Sequence, residues 1–175
     1  MKFKINALAA ALTPKTRLLL LNTPHNPTGM VWEASDMREL SAALEHTDAI
    51  VVSDEVYEHI TYDGVPVTPL ASLPGMRERT VTLGGFSKAY AMTGWRIGYA
   101  CGPADIIKGL VRIHQYTIMS APTTAQDAAL EALKSGNSYV EEMVAEYDRR
   151  RRLLVAGLNR LGLRTFEPRG AFYAF

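Results

Sequence analysis

Thr80–Tyr99, TVTLGGFSKAYAMTGWRIGY, is the stretch around which the rest of the chain is arranged. An apolar, β-type run over Thr80–Leu83 ends in Gly84-Gly85, and Lys88 follows in a short polar loop. Arg96 stands eight residues further on, where a second apolar run begins. Open α/β sheets bind ligands in the crevice outside the carboxyl ends of their strands, and a lysine just past a buried strand lies there. Desolvation in such a crevice lowers a lysine's pKa and leaves an amine nucleophile for carbonyl compounds. A guanidinium at the start of the next strand offers a planar fork suited to a phosphate.

A carbonyl-reactive amine beside a phosphate clamp describes a site for pyridoxal phosphate. A lone lysine beside a strand is ordinarily a solvated charge, so the reading leans on two further stretches. Asn22–Gly29 reads NTPHNPTG, and Val51–Gly64 reads VVSDEVYEHITYDG. These three blocks, in this order, resemble the class I/II aminotransferases among the fold-type I pyridoxal phosphate enzymes. The resemblance runs on to GAFYAF at Gly170–Phe175. It implies an α/β fold: part of the large domain, a mostly parallel sheet with flanking helices, followed by the start of a small α+β domain. Residues 1–137 are expected to be the remainder of the large cofactor-binding domain. Residues 138–162 are expected to form a long interdomain helix, and 163–175 to begin the small C-terminal domain.

The periodicity of the chain agrees with an α/β order. Leu18–Leu21 is a continuous apolar run, as in a parallel strand buried on both faces. It ends in the loop Asn22–Gly29, where two prolines forbid helix. Met37, Leu40 and Leu44 then recur at helical spacing behind a cap at Ser35, and Ala49–Ser53 reads as the next buried strand. Val65–Arg79 holds three prolines and reads as loop with at most a short helix. Arg96–Cys101 reads as a strand, too close behind Thr80–Leu83 for a crossover helix, so an antiparallel pairing is expected.

Ile106, Leu110 and Ile113 form an apolar stripe, and Ala125, Ala128, Ala129 and Ala132 a face of small residues. Ser138 and Glu141 are spaced as a capping box at the head of a helix that ends at Gly162. Leu163–Phe166 and Ala171–Phe175 read as strands around a turn at Pro168-Arg169-Gly170.

Composition narrows the class. With 19 basic against 18 acidic residues the net charge is +1, which gives no nucleic-acid or membrane surface. Arg149–Arg152 reads as the solvated face of a helix. Cys101, the only cysteine, excludes an internal disulfide and reads as a small buried hydrophobe. The start, MKFKINALAAALTPKTR, imitates a secretory leader, but its apolar stretch is broken by Asn6 and ends at Thr13-Pro14. No apolar run approaches the ~20 residues that span a bilayer. A cytoplasmic protein is the expectation.

The resemblance also implies roles. Lys88 forms the Schiff base with pyridoxal 5'-phosphate and moves the proton between the substrate carbon and the cofactor. Asp54 bonds the pyridine nitrogen, Tyr57 and Asn26 the phenolic oxygen, and Ser87 and Arg96 the phosphate. Asn26-Pro27 is expected to be cis. Many relatives carry serine three residues before the lysine. Gly85 stands there in this chain, so one hydroxyl donor is missing. His25, His59 and His114 have no metal-ligand spacing.

The implied reaction is transamination between an amino acid and a 2-oxo acid, in a full-length protein that is a homodimer. The chain reads as the central piece of such an enzyme, inactive alone, with segments before Met1 and after Phe175 supplying the rest. Two other readings fit the same motifs. One is a truncated, non-catalytic protein of this fold. The other is a pyridoxal phosphate-dependent carbon–sulfur lyase or synthase. Which amino acid is the substrate is not legible.

Overall fold

In the computed structural model, which describes residues 5–175, the apolar runs on either side of the Met37–Leu44 stripe form adjacent parallel strands. These are β1 (Leu18–Asn22) and β2 (Ile50–Asp54). β3 (Thr80–Gly85) adds in parallel beyond β2, and β4 (Gly98–Cys101) pairs antiparallel with β3, giving the order β1-β2-β3-β4. The reversal expected from the short connection is present. Between β3 and β4 lie only the four-residue helix α3 (Phe86–Ala89) and a 3-10 turn at Thr93–Trp95. Lys88 therefore sits on a short helix and not in a loop.

Residues 1–4, with the two lysines of the leader-like start, lie outside the described residues; α1 (Ile5–Ala11) follows them. α2 (Ala34–Leu44) connects β1 to β2 and lays Met37, Leu40 and Leu44 against Leu21 and Val51. Trp32, Leu70 and Met76 complete this core. Each such side chain contributes roughly 1.5–3 kcal/mol when fully buried. The opposite face of β1 behaves otherwise. Leu18 and Leu20 are 59% and 69% exposed, so the expected two-sided burial is not met. The 3-10 turn Leu70–Ser72 is the short helix expected within Val65–Arg79.

α4 (Ala104–Thr117) carries the apolar stripe, but none of its residues is buried. α5 (Thr123–Ser135) buries Ala125 and Ala129, and Ala129 packs with Phe86 and Met92, as a face of small residues allows. α6 (Asn137–Arg160) runs 24 residues, ~36 Å at 1.5 Å per residue.

Four details depart from the sequence reading. α2 starts after Glu33, whose N–H donates to Asp36 Oδ2 (2.8 Å), so Ser35 lies inside the helix. α6 starts after Gly136 without a side-chain cap, and Ser138 is likewise internal. Gly136 joins α5 directly to α6 where a Cβ would stand 2.4 Å from the Ala132 carbonyl. Leu163–Phe166 and Ala171–Phe175 form no ladder; a single bridge, Thr61 to Gly170, is the only pairing in this region among the described residues. Cys101 is exposed, as is every residue of β4.

Candidate active site at the strand ends

The three parallel strands end side by side, and the residues singled out by sequence follow those ends. Asn26 lies in the loop after β1, and Asp54 is the last residue of β2 with Tyr57 three residues on. Ser87 and Lys88 lie on α3 directly after β3, and Arg96 precedes β4. Register places Asp54 between Asn22 of β1 and Leu83 of β3.

Ser87, Lys88 and Arg96 line one cavity of about 380 Å3, with Val56, Gly84, Gly85, Thr93, Ile97 and Gly98. The glycines make its wall possible. A Cβ on Gly98 would stand 3.0 Å from the Gly84 carbonyl, and one on Gly84 would overlap the Tyr99 ring at 2.3 Å. Arg96 takes a left-handed backbone (φ +53°) and donates one N–H to the Thr93 carbonyl (2.8 Å); the side chain is otherwise exposed. Asn26, Asp54 and Tyr57 do not line this cavity, although Val56 between the last two does.

Tyr57 is buried, and its hydroxyl meets that of Tyr173 at 2.5 Å. Burial, the bond to Tyr173 and the charges of Tyr173 and Asp54 push its pKa well above the usual tyrosine range, so it stays protonated. Lys88 Nζ stands 5.8 Å from the centroids of both the Tyr57 and Phe172 rings. The Asp54 side chain is partly buried and accepts the Val56 N–H at Oδ1 (3.3 Å). Its carbonyl accepts from the Thr23 N–H (3.1 Å) and from Asn22 Nδ2 (3.1 Å). Next to it, Glu55 is buried and accepts the Ser53 hydroxyl (2.8 Å), and burial raises its pKa.

Both peptide bonds preceding the prolines of the first motif, Thr23-Pro24 and Asn26-Pro27, are cis; the second was expected. Gly29 ends this loop with φ +68° and presses on Pro168, where a Cβ would lie 2.3 Å from the proline's own Cβ. Its carbonyl accepts the N–H groups of Arg169 (2.9 Å) and Gly170 (3.0 Å). The second motif holds the other side of the same segment. Tyr62 N–H donates to the Arg169 carbonyl (3.0 Å), Ala171 N–H to the Ile60 carbonyl (2.9 Å), and the Tyr62 hydroxyl to the Ala171 carbonyl. Phe172 and Tyr173 are thereby held beside Tyr57 and Lys88. The sequence reading left them, and Asn22, without roles. For the aromatic pair the signal was the motif GAFYAF itself.

A primary amine, a guanidinium and a hydroxyl converging on a glycine-walled cavity form a donor set that fits a phosphate-bearing carbonyl compound. The family model described as "Aminotransferase class I and II" matches residues 1–175. A putative aminotransferase, YugH, of Bacillus subtilis (strain 168) is 49% identical over 95% of this chain and 43% of its own length. Aromatic-amino-acid aminotransferase 2 of Thermococcus litoralis is 47% identical over 99% of this chain and 45% of its own. The crystal structure of the aromatic aminotransferase from Pyrococcus horikoshii OT3 superposes with a TM-score of 0.94 at 46% identity, covering 99% of this chain and 47% of that one. The chain thus spans less than half the length of these relatives.

Proposed function

The chain belongs to the class I and II aminotransferases, and on that premise we propose that it carries the lysine-bearing part of a pyridoxal phosphate-dependent transaminase acting on an amino acid and a 2-oxo acid. The observation that carries the reading is the convergence of Lys88, Ser87 and Arg96 on one cavity past the strand ends. When bound there, pyridoxal phosphate supplies an electron-withdrawing ring that stabilises negative charge at the substrate's α-carbon. The Lys88 amine would hold the group at its aldehyde carbon and, when free, would carry the proton of the substrate's α-carbon. The Arg96 guanidinium and the Ser87 hydroxyl bind the phosphate. The Asp54 carboxylate holds a proton on the ring nitrogen. The Tyr57 hydroxyl, kept protonated by burial, and the Asn26 carboxamide donate to the phenolic oxygen.

The same reading takes residues 1–137 as part of the large domain, 138–162 as the interdomain helix and 163–175 as the start of the small domain. The single unbroken helix α6 supports that division. A homodimer belongs to it as well, supported by the exposed apolar side chains of α4. So does a cytoplasmic location. Among the described residues no helix is long and apolar enough to cross a membrane, and the lone Cys101 is a free thiol.

The test is borohydride reduction of the protein mixed with pyridoxal phosphate, followed by peptide mapping. The label is expected on Lys88. A label spread evenly over Lys15, Lys108 and Lys134 would overturn the assignment.

A further inference from the structure

Asn26 lies in the loop after β1 and Asp54 closes β2, yet one side chain bonds to both. Asn22 closes β1 in register with Asp54, which closes β2. Its Nδ2 donates to the Asp54 carbonyl (3.1 Å), and its Oδ1 accepts the backbone N–H of Asn26 (2.8 Å). The ladder between β1 and β2 ends at this pair. Beyond it, among the described residues, the main chains of the two strand ends are joined by Thr23 N–H donating to the Asp54 carbonyl (3.1 Å). Asn22 therefore extends the ladder by one side chain, in the direction of the site.

The chemistry of a carboxamide suits this place and few other side chains do. One end must donate to a carbonyl while the other accepts from an N–H, which fixes the orientation of the amide. Aspartate keeps the acceptor and loses the donor. Alanine loses both. Asn22 itself is partly buried and follows Leu21, which is locked in the core, so its position is inherited from the sheet. Buried Thr23 fixes the next residue by accepting the Trp32 N–H at Oγ1 (3.2 Å).

We infer that Asn22 is a positioning residue that sets the spacing between Asp54 and Asn26, and so between the groups that meet the two polar edges of the cofactor ring. The inference rests on the function proposed above. It separates the two ends by variant. Asn22→Ala releases both loops, whereas Asn22→Asp keeps the bond to the Asn26 N–H and loses the bond to the Asp54 carbonyl.

The experiment uses the purified full-length protein with pyridoxal phosphate. Its readouts are cofactor affinity, the pH titration of the visible absorbance of the Lys88-bound cofactor, and turnover. For Asn22→Ala we expect affinity to fall about tenfold, as loss of two hydrogen bonds predicts, and the spectral pKa to rise because the Asn26 donor is misplaced. For Asn22→Asp, which keeps the bond to the Asn26 N–H, we expect cofactor affinity near that of the wild type, a spectral pKa raised by the added negative charge, and kcat lowered about tenfold. If both variants match the wild type in affinity, spectral pKa and kcat, or change only in melting temperature, Asn22 is not a positioning residue. If Asn22→Ala does not fold, Asn22→Asp decides alone: a lowered kcat at near-wild-type cofactor affinity supports the positioning role, and an unchanged kcat overturns it. A wild type that forms no visible Lys88-bound species overturns the proposed function, and this inference with it.

Discussion

At the scale of single residues, the site depends on where three strand ends leave their side chains. Asp54 is the clearest case. It ends β2, its carbonyl is braced by Thr23 and Asn22, and among the described residues its carboxylate accepts one backbone N–H, at 3.3 Å. A carboxylate so placed retains lone pairs for a protonated ring nitrogen. Asp54→Asn keeps the shape and removes the charge. In the active full-length protein it is expected to keep the Lys88 label in the borohydride assay and to lower transamination on the order of 100-fold or more, as removal of a preorganised electrostatic group does. Paired measurement of label and kcat checks this, and a near-wild-type kcat would assign the ring nitrogen to another group. The strand-end positions of Asp54 and Lys88 were legible from sequence because strand ends are marked by the close of an apolar run. Tyr173 was not. An aromatic in a strand-like run reads as core, and only the fold brings its hydroxyl to Tyr57 across 116 residues of chain.

At the scale of elements, the segment after α6 is held by α6 and both motif loops, and two residues control the hold. Gly29 takes φ +68° with no room for a Cβ beside Pro168. Gly29→Ala should displace Pro168–Gly170, lower stability by about 1–3 kcal/mol and weaken cofactor binding with it, measured by thermal melting and titration. Arg151 is the second. It is 6% exposed, pairs bidentately with Asp63 (2.9 and 3.0 Å), bonds Asp148 and the Pro168 carbonyl (2.7 Å), and its guanidinium lies 4.6 Å from the centre of the Tyr62 ring. The sequence reading took Arg149–Arg152 as one solvated face. The signal against it was periodicity: Val140, Val144, Tyr147, Arg151 and Val155 share one helical stripe, so the third arginine points where the valines do. Arg151→Lys cannot keep the fork and is expected to cost about 2 kcal/mol. The hydrogen bond from Arg151 holds the Asp63 carboxyl below its usual range. The unfolded state therefore binds more protons as pH falls below about 4, and this part of the stability is present above that pH and lost below it. Asp63→Asn should flatten the acid limb of a melting-temperature profile, and an unchanged limb would show that other carboxylates govern it.

At the scale of the whole molecule, the sheet is covered on one side by α1 and α2, while Leu18 and Leu20 on the other side are exposed and no residue of α4 is fully buried. The sequence made the α4 stripe visible but not what lies against it, because periodicity identifies an apolar face and carries no information on its partner. The same limit explains β1: a continuous apolar run predicts burial on both faces only when both layers are at hand. Ile113 and Tyr116 are 66% and 87% exposed, and Ile118 and Met119 extend the apolar surface past the end of α4. A contiguous patch of this kind on a chain of near-zero net charge favours association. The 175-residue chain is therefore expected to self-associate, with an average mass that rises with concentration in sedimentation experiments. The double substitution Ile113→Lys and Tyr116→Lys places two like charges on the patch and should shift the distribution toward monomer. No α4 side chain lines the Lys88 cavity, so the variant should still take the borohydride label on Lys88. An association constant unchanged by the two charges would locate the contact elsewhere, with the exposed face of β1 at Leu18 and Leu20 as the next surface to charge.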